Sequence, residues 1–294
     1  MNIIENKEGI YTHFCVPSSS NSKKKLLIEL PHGATKTKDF LWYQQKLQST
    51  YPKNLIDFFY VNTDVGSPEI AFHIAQKLLG TYETHILQSH IPRTFIDCNR
   101  VVGEGILYTE GGVTPATPSY VTDAQDVSFL YEQYHQYQKY VRSLYTKICE
   151  QDEGQALMLH TYAPRSVPIT QVDFDIVEQL HAYYKTDKIQ DCPLRPEIDI
   201  IYKTPDGENL IDATWIQNLK RIFGQNGFFV ADGDSYPLHP VTTAYEHAHK
   251  NPSKTMCLEI RRDLVVQDWD PFVEMSISES KAVVIASCIA DSLL

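Results

Sequence analysis

Hydrophobic and polar positions along this chain repeat with two different periods. LLIEL (26–30), QALMLHTY (155–162), EIDIIYK (197–203), FFVAD (228–232) and TMCLEIRRDLVV (255–266) are short apolar runs closed by polar or turn residues, and they read as buried strands. NLIDFFYVN (54–62) reads as a strand on the same grounds, and HILQSHIPRTFID (85–97) as a further extended segment. Between them lie segments of helical spacing at 39–51, 67–80, 124–150, 173–184, 211–227 and 276–294. In the second of these, Ser67 reads as the N-cap and Pro68 as the first helical residue. Ile70, Ile74, Leu78 and Leu79 make its apolar stripe, and Gly80 is its stop.

Strands that alternate with helices imply βαβ units. The expected fold is therefore α/β: a three-layer sandwich whose central sheet is mostly parallel and covered by helices on both faces. No repeat and no linker rich in Pro, Gly or Ser divides the chain, so 1–294 reads as one domain. Its core is expected from about residue 26, after a solvated turn at SSSNSKKK (18–25). The stretch 101–123, with four Gly and two Pro, reads as a long loop of the kind that often serves function.

Composition narrows the classes. The 294 residues carry 26 Lys and Arg against 37 Asp and Glu, a net charge of −11, which repels nucleic acid. No window approaches the run of about 20 apolar residues that crosses a bilayer. The start, MNIIENKEGIYTHF, lacks a basic region followed by an apolar one. The reading is a soluble, cytoplasmic protein with neither membrane nor nucleic acid as partner. Six cysteines without a CxxC, mostly beside apolar residues, suit buried thiols.

Ligands of parallel sheets sit beyond the carboxyl ends of the strands, which directs attention to titratable residues there. His32 follows LLIELP, His160 ends ALMLH, and Glu259 lies late in MCLEI with Arg261 and Arg262 behind it. IPRTFIDCNR gathers Arg93, Asp97, Asn99 and Arg100. Two imidazoles and a carboxylate can make a catalytic zinc site with one position open for water. Zinc acidifies that water and polarises a carbonyl, a free carboxylate moves the proton to a leaving nitrogen, and arginines hold the oxyanion or a substrate carboxylate.

The ordered set LPHGA, TDVGSPEIA, PRTFIDCNR, MLHTY and LEIRRDL resembles the N-formylglutamate amidohydrolase family, over about residues 26–266. The R-xxx-D-x-N-R segment is its most specific part. The resemblance implies a zinc-carboxypeptidase-like fold and a zinc ion held by His32, Asp64 and His160, with Glu69 as the alternative carboxylate. It implies Glu259 as general base, Arg93 on the scissile carbonyl or its oxyanion, and Arg100 with Asn99 on a substrate carboxylate. Asp97 would buttress the arginines, while Arg262 would either meet substrate or orient Glu259. The activity implied is hydrolysis of the amide bond of a small acidic N-acyl amino acid or short peptide. Two alternatives stand beside it: a carboxypeptidase or deacylase acting on peptidyl or cell-wall fragments, and a catalytically silent binding relative. The family's Asn-x-Pro-Tyr-x-Gly-Gly stretch is represented by ADGDSYPLHPVTTAYEHA (231–248), without the glycine pair, and this loop is expected to line the pocket.

Overall fold

The computed structural model describes residues 1–18, 24–103 and 113–294. Its strands are β1 (Asn2–Lys7), β2 (Tyr11–Val16), β3 (Lys24–Leu30), β4 (Tyr82–Ser89), β5 (Gln155–Tyr162), β6 (Ile198–Ile201), β7 (Val230–Ala231) and β8 (Thr255–Arg261). Its helices are α1 (Thr37–Gln44), α2 (Leu55–Asn62), α3 (Ser67–Lys77), α4 (Ala124–Tyr145), α5 (Ile176–Tyr184), α6 (Ala213–Gln225), α7 (Thr243–Lys250) and α8 (Glu279–Leu293). All strands join one sheet in the order β1-β2-β4-β3-β5-β8-β6-β7. The centre, β4-β3-β5-β8, is parallel. The β1-β2, β2-β4 and β6-β8 pairings are antiparallel. The sheet is mixed, as expected for an α/β sandwich with a mostly parallel middle.

Alternation along β3 shows how the layers form. Leu26, Ile28 and Leu30 point to a face they share with Ile70 and Ile74 of α3, Leu219 of α6 and Ile289 of α8. Leu27 points to the other face, where Phe40 of α1, Phe59 of α2, Tyr137 of α4 and Leu180 of α5 lie. A strand buried on both faces reads as a continuous apolar run, which is why β3, β5 and β8 were visible in the sequence.

Three expectations change. Residues 54–62 form the helix α2, not a strand. A run that is apolar throughout satisfies both periods, and here Leu55, Phe58 and Phe59 bury one helical face against the second layer. The sheet also begins well before residue 26, because β2 pairs with β4 and buries Tyr11, His13 and Val16. Its mixture of aromatic, polar and small residues hid it. Finally, 231–248 is only partly loop, since Thr242 caps α7 by accepting the Tyr245 N–H. Of the polar turn at 18–25, residues 19–23 lie outside the described residues, as do 104–112 of the long loop at 101–123.

Smaller differences concern ends. Gly66, at φ 89°, rather than Ser67, is the residue before α3. A side chain there would also meet Val265, since a Cβ would lie 2.7 Å from its Cγ2. The long helix leaves α geometry after Tyr145 for a π turn, Thr146–Gln151. All six cysteines are free, and five are buried. Among the described residues no helix is long and apolar enough to cross a membrane.

Candidate active site

From β3 the chain crosses to β4 on one side, then returns through α4 to β5 on the other. The crevice between the ends of β3 and β5 is thus a switch point, where ligands of open α/β sheets bind. The turn that leaves β3 is closed by Gly33 N–H donating to Leu30 C=O (3.1 Å), which sets His32 at the mouth of the crevice. A Cβ on Gly33 would lie 2.7 Å from Gln88 Cγ, so the turn packs too tightly for a larger residue. His160 sits near the end of β5, and Glu259 is its register partner on β8, so both project from the same face. Asp64 comes from the turn between α2 and α3, where Ser67 N–H donates to the Asp64 carbonyl (3.1 Å).

These elements bring His32, Asp64 and His160 together in the buried interior. His32 Nδ1 lies 3.2 Å from Asp64 Oδ2 and 3.2 Å from His160 Nδ1, and His160 Nδ1 lies 2.8 Å from Asp64 Oδ2. His32 Nε2 meets Asp97 Oδ1 at 2.7 Å, so the ring proton belongs on Nε2 and the Nδ1 lone pair faces inward. Asn99 Oδ1 accepts from the Ala244 N–H (3.1 Å) and the Thr243 hydroxyl (3.0 Å), which turns its amide N–H toward His160 Nε2 (3.3 Å). That leaves one proton, on His160 Nδ1, to serve two facing lone-pair groups. A cation relieves this crowding. The three separations also approach the edge of about 3.3 Å that bonds of about 2.0–2.1 Å give a tetrahedral site. The residues therefore fit a divalent ion. Glu69 takes no part, since it points to Lys36 (4.0 Å) on the first turn of α3.

Electrostatics organise the rest. Burial would raise the Asp64 carboxyl, but His32 and His160 hold it below the usual carboxylate range. Burial likewise opposes ionisation of Asp97, and Arg100, Arg93 and His32 keep it well below that range. Asp97 Oδ2 accepts from Arg93 (2.9 Å) and stands 3.7 Å from Arg100. Asp97 thus joins both arginines to His32, where the sequence pointed to the arginines alone. Burial pushes the Glu259 carboxyl up to about 7, with His160 opposing the rise and Asp64 adding to it. Among the described residues, Glu259 Oε2 is buried without a hydrogen-bond partner.

A cavity of about 280 Å³ opens over these groups, lined among others by His32, His160, Glu259, Arg93 and Arg100. Two residues make contacts beyond those expected. The Asn99 carboxamide, which also lines the cavity, contacts His160 Nε2 and the first residues of α7. Arg262 donates to the carbonyls of Val61 and Thr161 and lies 3.8 Å from Asp64 Oδ1, with Glu259 also acting on it electrostatically. Burial lowers its pKa to about 10, which leaves it charged. Among the pocket residues that the sequence reading did not single out is Arg195. Arg195, ahead of β6, donates to the Tyr236 hydroxyl (2.8 Å), lies over the Tyr162 ring (5.1 Å) and acts electrostatically on Glu259. Only its position before an apolar run could have drawn attention to it. The stretch 231–248 contributes Tyr236, Leu238, His239 and Thr242 to the lining, as expected of it.

No family model matches the chain, and no curated protein matches it. Solved structures do. The chain is similar to N-formylglutamate amidohydrolase from Ralstonia eutropha JMP134, with a TM-score of 0.58 and 15% identity over 96% of this chain and 95% of that one. It is also similar to gene product Atu2144 from Agrobacterium tumefaciens, with a TM-score of 0.55 and 15% identity over 95% of this chain and 91% of that one. At such identity the likeness is one of fold.

Proposed function

We propose that the chain is a metal-dependent amidohydrolase, related to the N-formylglutamate amidohydrolases, that cleaves the amide bond of a small carboxylate-bearing N-acyl amino acid or short peptide. One observation carries the reading: His32 Nδ1, Asp64 Oδ2 and His160 Nδ1 converge on one point beside a cavity that the Glu259 carboxyl also lines. The fold shared with the Ralstonia eutropha enzyme supports it.

His32, Asp64 and His160 would hold the ion, for which zinc suits two imidazoles and a carboxylate. When bound, it supplies Lewis acidity toward a carbonyl oxygen and lowers the pKa of water. The chain's own residues do the rest. Glu259 accepts the proton of the attacking water and returns it to the departing nitrogen, work suited to a carboxyl raised toward neutrality. Arg93, fixed by Asp97, faces the cavity and stabilises charge that grows on the carbonyl oxygen. Arg100 anchors the substrate carboxylate. Asp97 sets the ring of His32 by accepting its Nε2–H.

The test is elemental analysis of the purified protein at neutral pH together with hydrolysis of N-formyl and N-acetyl amino acids. One equivalent of a divalent ion is expected, with the ion and the activity lost together in His160→Ala. Hydrolysis that survives full chelation overturns the reading.

A further inference from the structure

The cavity is less polar than a formyl group requires. One wall consists of Phe58 and Val61 of α2, Ile176 and Leu180 of α5, and Val167 and Val172 of the segment between β5 and α5. The four helical residues are buried and the two valines partly so. The wall belongs to the catalytic cavity, since the Val61 carbonyl accepts from Arg262, whose Nη2 stands 3.8 Å from Asp64 Oδ1. Its frame is built. Ser119 N–H donates to the Val172 carbonyl (3.2 Å), and α2 is tied to α5 by Asp57 Oδ2 at 2.7 Å from His181 Nε2. Tyr184 completes the wall, with a buried hydroxyl that has no partner among the described residues.

We propose that this wall receives an apolar group of several carbons, carried by the same amide that presents its carboxylate to Arg100. The proposal rests on the hydrolytic reading above and names the substrate class for that site. A formyl group offers a hydrogen where the cavity offers six apolar side chains, and each methylene buried there favours binding by about fourfold. The reaction balances as a hydrolysis: the water oxygen bonds to the acyl carbon, the C–N bond breaks, and a proton passes to the amine. The apolar group can be the acyl chain or the amino-acid side chain, and the two differ only in which product carries it.

Two measurements on three compounds test this: N-formyl-L-alanine as reference, N-hexanoyl-L-alanine for an acyl source and N-formyl-L-leucine for a side-chain source. Calorimetric binding to the chelated protein is read beside turnover by the metal-loaded protein. One of the two longer compounds is expected to bind at least tenfold more tightly than the reference and to show at least tenfold higher kcat/KM. Val172→Trp, at a partly buried loop position, should abolish that preference. Val167→Trp serves if the first variant does not fold by circular dichroism. Equal binding of all three, or a preference that both filled variants retain, overturns the inference. Turnover of the reference without any apolar preference overturns the inference and leaves the amidohydrolase reading standing. A binding preference without hydrolysis of any compound supports the subsite and overturns that reading.

Discussion

Two glutamates on one face of the sheet share an unusual state and differ in nearly everything else. Burial pushes both Glu29 and Glu259 up to about 7. Glu29 is the register partner of Met158 on β5, and Glu259 is the partner of His160, two residues further along the same strand. That step is about 7 Å. At the inner position α4 lies over the carboxyl, and the hydroxyls of Tyr137 and Tyr145 donate to its two oxygens at 3.1 and 3.0 Å. At the outer position β3 has ended, a cavity opens, and one oxygen has no partner among the described residues. A shifted carboxyl is thus no sign of catalysis in itself. What distinguishes Glu259 is that its side chain is partly exposed to a cavity, whereas Glu29 is fully sealed.

The sharpest way to break this comparison is to remove the charge at each position in turn. Glu259→Gln is expected to lower kcat by about 10²–10⁴ while the metal content by mass spectrometry stays at one equivalent. Glu29→Gln should leave kcat within about twofold. An active Glu259→Gln, or an inactive Glu29→Gln that still folds, would reverse the assignment of roles.

The next effect is on stability. The Glu29 pKa is raised on folding from 4.5 to about 7, so its contribution is fully present below about pH 4.5 and is lost as pH rises through 7. The loss approaches about 3 kcal/mol by pH 8. Glutamine cannot ionise. Urea unfolding at pH 5 and pH 8 should therefore show Glu29→Gln gaining stability over the native protein at the higher pH by an amount of this order. Equal differences at both pH values would mean that Glu29 is ionised at no cost. A smaller effect concerns the supports that the catalytic side needs and Glu29 does not. Asp97→Asn removes the charge that fixes His32 Nε2–H, and metal affinity in a competition titration should weaken by about 10–100-fold.

Legibility followed the same divide between strand ends and tertiary surroundings. His32, His160 and Glu259 could be singled out because each stands at or near the end of an apolar run, and a parallel sheet makes that position meaningful. Asp64 follows α2, a segment whose uniform apolarity concealed its helical period, so only the family resemblance pointed to it. The contact of Asn99 with His160 was not legible, because its orientation is decided by Thr243 and Ala244, more than a hundred residues away in sequence. Arg195 was missed for a related reason. Its backbone carbonyl is held by Arg261 (3.0 Å) and its side chain by Tyr236, contacts that exist only once β6 and β8 are side by side. Glu29 lay in full view inside LLIEL, yet nothing local shows that two tyrosines on α4 close over it.

Those tyrosines offer the finest test of the comparison. Tyr145 donates to Glu29 Oε2 and stacks on His247 with ring centroids 3.7 Å apart. Tyr145→Phe keeps the stacking surface and removes only the donor, so the cost at pH 5 should be small, about 1 kcal/mol. Its informative consequence is on the pH axis. The hydroxyl favours the ionised carboxylate, so its loss raises the Glu29 pKa further, which enlarges the pH-dependent loss of stability and extends it to higher pH. The activity profile, governed by a different carboxyl at the open end of the sheet, should not move with it. A stability curve and an activity curve that shift together would show that the two glutamates act as one system, and the contrast between a sealed and an accessible carboxyl would fall.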